Sequence, residues 1–180
     1  MGGACGDLIM SVIDSTGCKM KDGRVHTKGY DPKDINTYRF KLKKPHVFNS
    51  DEEKDQFLIE ISKSYKSIPS HDTEYHVKRK HEFITVVASD EETALWASER
   101  FKSYHRENIW DEMVVACGAN STQGYAEMLL KYSDRITQYT DKVIDIRKDI
   151  LSGNLIEKMQ RFVDIPLDTD FYNYWLSQQA

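Results

Sequence analysis

The rest of the chain is organised around residues 81–101, where an apolar run is followed by apolar residues at helical spacing. Residues 82–88 form a nearly continuous β-branched and aromatic run, which is typical of a strand covered on both faces in a parallel sheet. Ser89 follows as an N-cap with Glu92 three residues later, the pattern of a capping box. Apolar residues then recur at helical spacing as far as Phe101. The segment therefore predicts a strand, a tight turn and a helix, and α/β sheets bind ligands beyond the carboxyl ends of such strands.

The rest of the chain alternates between segments with the two-residue period of strands and segments with the helical period of about 3.6 residues. Residues 142–146 alternate as a second strand, and residues 38–42 and 67–71 are candidates for further short strands. The polar stretch 19–44 around the first of these is otherwise predicted to be irregular. Helical spacing occurs at residues 8–13, 50–66, 109–115, 121–136, 155–163 and 168–178. This alternation predicts a helix-rich α/β fold of three layers, with a mainly parallel sheet flanked by helices.

Length and composition narrow the class of protein. A chain of 180 residues fits a single α/β domain over residues 1–180, and 39% hydrophobic with 30% charged residues describes a globular protein. The formal net charge of −4 provides no overall basic surface, so nucleic acid is not indicated as a partner. The basic run Lys78–His81 is either a local patch or a solvated loop before the strand.

The cysteine count and hydropathy bear on the cellular location. Three cysteines without a CxxC pair favour reduced thiols over a disulfide framework. No apolar run is long enough for a transmembrane helix, and the N-terminus lacks the features of a secretory signal. We therefore expect a cytoplasmic protein without a membrane partner. The sequence leaves the oligomeric state open.

Two stretches carry candidate chemistry. Gly2, Gly3, Gly6 and Asp7 precede an amphipathic helix, and a glycine-rich turn at a helix N-terminus favours an anion. The stretch lacks the Lys-Ser/Thr pair of a Walker A loop, so the alternative is a plain N-terminal segment leading into a helix.

His71 is the second candidate, at the end of a predicted strand, because histidine titrates near neutrality and serves as a general base. Adjacent Asp72 would orient it, and the alternative is a surface histidine in a loop. His71, His76 and His81 are five residues apart, a spacing that aligns on no helix face and disfavours a metal site.

Residues 67–101, SIPSHDTEYHVKRKHEFITVVASDEETALWASERF, resemble the middle of the cytosolic sulfotransferase pattern. That pattern has a strand ending in a catalytic histidine, an apolar strand, a turn with an acidic residue, and a helix bearing serine. The resemblance implies a P-loop-type fold with His71 as the base and with Asp90 and Ser98 in the turn and helix. Residues 2–7 lie where the family keeps its phosphosulfate-binding loop, and residues 142–163 resemble the later strand and helix.

The chain departs from this pattern at two positions. The lysine of the first loop is absent, and Ala88 or Ser89 replaces the arginine that binds the nucleotide 3′-phosphate, for which Arg100 or Arg106 would substitute. A nucleotide-kinase relative fits nearly as well, so the expected cofactor is phosphoadenosine phosphosulfate or ATP. The expected activity is sulfuryl or phosphoryl transfer to a hydroxyl of a small-molecule or macromolecular acceptor. The alternative is a catalytically inactive nucleotide-binding or protein-interaction protein that retains the fold.

Overall fold

A computed structural model of the protein describes residues 6–13, 19–21, 24–26, 48–62, 73–104, 118–177 and 179. In chain order the described elements are α1 (Gly6–Ile13), β1 (Lys19–Lys21), β2 (Arg24–His26), α2 (Asp51–Ser62), α3 (Thr73–Lys78), β3 (Thr85–Val87), α4 (Glu91–Tyr104), α5 (Thr122–Ile136), β4 (Val143–Asp145), the π-helix Ile146–Leu151, α6 (Leu155–Gln160) and α7 (Thr169–Ser177). The chain divides into two compact units. The first contains residues 1–6 and 71–164, and the second contains residues 7–70 and 165–180. The single domain that the length predicts stays a prediction.

The first unit contains a small parallel sheet. Strands β3 and β4 pair with Thr85 opposite Val143 and Val87 opposite Asp145. Parallel strands need a long crossover, which here contains α4 and α5. Both predicted strands are confirmed, but each is shorter than its apolar run. At β4 the π-helix begins directly after Asp145 and removes Ile146 from the sheet.

Helices α4 and α5 pack closely because small residues line their contact. Ala94 and Ala97 on α4 and Ala126 on α5 are fully buried. The rings of Phe101 and Tyr125 stack with their centroids 5.5 Å apart and add aromatic contact beyond the apolar burial. The helical spacing that predicts α4 and α5 therefore describes the core face of this pair.

The second unit is built from amphipathic helices. The apolar positions of α1 are buried, and Val12 accepts a backbone hydrogen bond from Asp168 at 2.9 Å, just before α7. Tyr172 and Trp175 on α7 are buried and stack 6.5 Å apart. Ser50 caps α2, because its Oγ accepts the backbone N–H of Glu53 at 3.2 Å.

The sequence predicts an irregular stretch at residues 19–44, but two short strands lie within it. Strands β1 and β2 form an antiparallel pair with Lys19 opposite His26, because backbone pairing needs no apolar pattern across so short a hairpin. The predicted strands at 38–42 and 67–71 and the predicted helix at 109–115 lie outside the described residues. Within the described ranges, no helix is both long and apolar enough to cross a membrane. The fold that the structure describes is helix-rich α/β with a small parallel sheet.

Candidate functional site

The two parallel strands end side by side, so the residues that follow them share one edge of the sheet. Val87 and Asp145, the last residues of β3 and β4, are paired. Asp90 precedes α4, and Arg147 lies two residues beyond β4. We call residues 88–92 and 145–149 the carboxyl edge. It is the candidate site, because parallel α/β sheets bind ligands where their strands end.

The Asp90 side chain caps α4. Its Oδ1 accepts the backbone N–H of Thr93 at 2.8 Å. Ser89, which the sequence predicts as the N-cap, lies one residue too early, because α4 begins only at Glu91 and the carboxylate of Asp90 takes the capping bond. The hydrogen bonds from Thr93 lower the pKa of Asp90, and the charge of Arg147 lowers it further.

The guanidinium of Arg147 spans the two strand ends. Its Nη2 donates to Glu92 Oε2 at 2.6 Å, and its Nη1 lies 3.6 Å from Asp90 Oδ1. Hydrogen bonding and charge from Glu92, followed by the charge of Asp90, raise the pKa of Arg147. The side chain is 49% exposed, so solutes reach a permanently charged group.

The π-helix after β4 is held by two carboxylates. Asp145 is only 8% exposed, and its Oδ1 accepts the backbone N–H of Lys148 at 2.8 Å. The backbone N–H of Asp145 in turn donates to Asp149 Oδ2 at 2.7 Å. These bonds satisfy backbone groups where the strand changes into a helix, and π-helical turns are frequent at functional sites.

Acidic side chains outnumber basic ones at the carboxyl edge. It carries two cations, Arg147 and Lys148, and five carboxylates, namely Asp90, Glu91, Glu92, Asp145 and Asp149. Even so, no group of three or more His, Cys, Asp or Glu side chains in the described part of the chain is arranged to hold a metal ion. The edge therefore offers a guanidinium to an anion, in competition with carboxylates that already contact it.

The structure does not bring the two candidates on α4, Ser98 and Arg100, to this edge. Ser98 is fully buried, and its Oγ donates to the Thr122 carbonyl at 2.8 Å, so the side chain joins α4 to α5. The Arg100 guanidinium lies 5.4 Å from the centre of the Trp96 ring. At 1.5 Å per residue, Ser98 and Arg100 are about 12 and 15 Å along the helix from Asp90.

The glycine-rich stretch is described only at its end. Gly6 begins α1 and is exposed, and a Cβ added there would meet no atom within 4 Å. Asp7 lies in the first turn of α1. The remaining candidates lie outside the described residues: Gly2, Gly3, His71, Asp72 and Arg106.

Sequence reasoning missed Arg147 as a site residue. The signal was present, because the residues that follow neighbouring parallel strands meet at one edge of a sheet. The predicted strand at 142–146 is followed at once by Arg147 and Lys148. Arg100 and Arg106, which follow β3 along the chain, are instead proposed from the sequence as substitutes for the missing arginine.

Comparisons of the chain with protein-family models, with curated proteins and with solved structures found no match in any of the three.

Proposed function

We propose that the chain is a P-loop-like nucleotide-binding protein that transfers a sulfuryl or phosphoryl group to a hydroxyl. The observation that carries this proposal is the position of Arg147, whose half-exposed guanidinium spans the ends of two parallel strands. Arginine binds phosphate and sulfonate oxygens through two parallel N–H donors. In this proposal Arg147, rather than Arg100 or Arg106, supplies the cation that the sulfotransferase-like pattern lacks after its central strand.

The ion pair of Arg147 is weak enough to exchange for a ligand. Glu92 is 76% exposed, and exposed ion pairs contribute only about 0–1 kcal/mol. A nucleotide phosphate that replaces Glu92 thus loses little and gains a charge-assisted bidentate contact. Asp90 stays fixed as the helix cap, and the surplus of carboxylates at the edge lowers affinity for an anion.

The remaining details of the proposal rest on the resemblance to sulfotransferases. They are the three-layer P-loop fold, phosphoadenosine phosphosulfate or ATP as the donor, and a donor-binding loop formed by Gly2, Gly3, Gly6 and Asp7. His71, beside Asp72, removes the acceptor hydroxyl's proton as the oxygen bonds to the sulfur or phosphorus and the bond to the nucleotide oxygen breaks. General-base assistance contributes about 10²–10⁴-fold, so His71→Ala lowers turnover by that factor while donor binding is kept.

Thermal shift measurements with adenosine 3′,5′-bisphosphate, the phosphosulfate donor, ATP and dTTP test the binding step. A ligand at 100 times its dissociation constant adds about 2.7 kcal/mol to the free energy of unfolding. We expect this gain in the wild type and its loss in Arg147→Gln. Arg161→Gln is the matched control, because Arg161 is also exposed and paired with a glutamate, Glu157, but lies away from the carboxyl edge in sequence.

Glu92→Gln should change nucleotide affinity in the opposite direction to Arg147→Gln. It removes the carboxylate that competes for Arg147, so nucleotide affinity should rise above that of the wild type. If none of the four nucleotides raises the melting temperature of the wild type, the proposal is contradicted. A shift of equal size in the Arg147 and Arg161 variants would place the anion elsewhere.

The excess of carboxylates at the edge favours a second candidate function, a catalytically silent interaction protein. Five carboxylates against two cations form a surface that attracts a basic partner. In that case no nucleotide shifts the melting temperature, and binding of a lysine-rich peptide weakens in Glu91→Gln and Glu92→Gln and with added salt.

A further inference from the structure

Two histidines that the sequence separates lie together at the end of α3. The helix ends at Lys78, and Lys80 adopts a left-handed conformation with φ of 55°. This turn lets the backbone N–H of His81 donate to the His76 carbonyl at 3.0 Å. The two Nδ1 atoms are then 3.1 Å apart, although five residues do not align on a helix face.

Ring contacts fix the orientation of both imidazoles. The buried Tyr75 ring meets His76 edge-on at 5.1 Å and His81 at 5.6 Å between centroids. Phe83 lies 6.3 Å from His76 on another side. Since Nε2 of His76 is buried, Nδ1 is the atom that it presents to His81. The pair is therefore held in place before any ligand arrives.

We propose that His76 and His81 chelate one transition-metal ion of the Zn²⁺ or Cu²⁺ class through their Nδ1 atoms. Metal–nitrogen bonds of about 2.0–2.1 Å at a tetrahedral angle separate two ligand atoms by about 3.3 Å. The observed 3.1 Å needs only a small adjustment to meet that value. Imidazole nitrogens suit zinc, copper and nickel, whereas Mg²⁺ and Ca²⁺ prefer oxygen ligands.

The site is an open one with moderate affinity. The described residues provide no third His, Cys, Asp or Glu ligand at this place, so water or a second molecule completes the coordination. Glu82, the nearest acidic neighbour in sequence, holds Lys142 at 2.7 Å instead. The basic residues Lys78, Arg79 and Lys80 lie between the two histidines in the sequence and weaken the binding of a dication.

Calorimetric titration of the full chain with Zn²⁺ and with Cu²⁺ tests the site, with Mg²⁺ as the control ion. Each of His76→Gln and His81→Gln should lower affinity for Zn²⁺ about tenfold or more, since loss of even an outer-shell partner costs 10–100-fold. The double variant should lose less affinity than the sum of the two single losses, because the chelate is already broken when one ligand is gone. His26→Gln, at a histidine in β2, should bind as the wild type does.

Electron paramagnetic resonance of the Cu²⁺-loaded wild type gives a readout that needs no variant. Two equatorial imidazole nitrogens are expected. One nitrogen or none, or single variants whose losses add in the double variant, would overturn the proposal. In those cases the 3.1 Å contact is a hydrogen bond that shares one proton between the two rings. The melting temperature of each metal-free variant shows whether it folds.

Discussion

The Ser133 hydroxyl joins α5 to the end of β3, where it accepts the backbone N–H of Ala88 at 3.1 Å. The same hydroxyl donates to the Leu129 carbonyl at 2.8 Å within α5. Ser133 is only 5% exposed and Ala88 only 3% exposed, so both hydrogen bonds are shielded from water. This contact fixes the backbone at Ala88, the first residue of the carboxyl edge, and therefore positions Asp90 relative to the sheet.

Ser133→Ala should destabilise the protein. The variant leaves the buried N–H of Ala88 without its acceptor, and an unsatisfied buried donor costs about 1–3 kcal/mol. Ser103→Ala is the matched control, because Ser103 also donates to a carbonyl of its own helix but is exposed, and it should change stability by less than about 0.5 kcal/mol. Urea unfolding measures both, and equal effects would show that the Ala88 contact adds nothing.

Asp90→Ala and Ser89→Ala distinguish the observed cap from the predicted one. Loss of an N-cap side chain costs about 1 kcal/mol, so Asp90→Ala should lower the free energy of unfolding by about that amount. Ser89 is exposed, so Ser89→Ala should be nearly neutral. If chemical denaturation showed a larger loss of stability for Ser89→Ala than for Asp90→Ala, Ser89 would be the cap.

The lowered pKa of Asp90 predicts a stability that depends on pH. Because the folded-state pKa lies below the unfolded one, the ionised carboxylate stabilises the fold above about pH 4, and this contribution is lost as the pH falls through the folded-state pKa. Asp90→Asn keeps a good N-cap without the titrating charge. The gap in stability between wild type and variant should therefore shrink between pH 6 and pH 3, and parallel curves would argue against the assignment.

Ile144→Ala should be the most damaging of these substitutions. Ile144 lies in β4 opposite Val86 and is fully buried, and truncating a buried isoleucine costs about 2–5 kcal/mol. Tyr139→Ala serves as the control in the same unit, since Tyr139 is 54% exposed. Thermal and urea unfolding should separate the two clearly, and a small effect at Ile144 would mean that the sheet is not the centre of this unit's core.

Much of the secondary structure is legible in the local pattern. The stripe that predicts α5 includes Tyr125, Leu129 and Ile136, and all three are buried. Ser121, directly before that helix in the sequence, caps it, because its Oγ accepts the Gly124 N–H at 3.0 Å. Such features depend on residues within a few positions of one another, so periodicity and capping rules reach them.

The boundaries of the helices and strands were harder to predict from the sequence, because neighbouring groups compete for the same backbone hydrogen bonds. The apolar run up to Ile146 predicts strand, but Asp145 caps the following backbone and starts a π-helix instead. The choice between Ser89 and Asp90 as N-cap has the same origin. A pattern of apolar residues cannot rank two adjacent side chains that can each accept the same N–H.

The sequence by itself determined the helix-rich α/β class, the two parallel strands within residues 82–88 and 142–146, and the amphipathic faces that form the core. Only the tertiary structure decided which charged groups meet. Arg147 reaches Asp90 and Glu92 from 55 or more residues away, and Ser98 joins two helices rather than a ligand site. The His76–His81 contact needed the left-handed turn at Lys80. These relationships depend on where β3 and β4 pair and how one turn closes, and no local period encodes either.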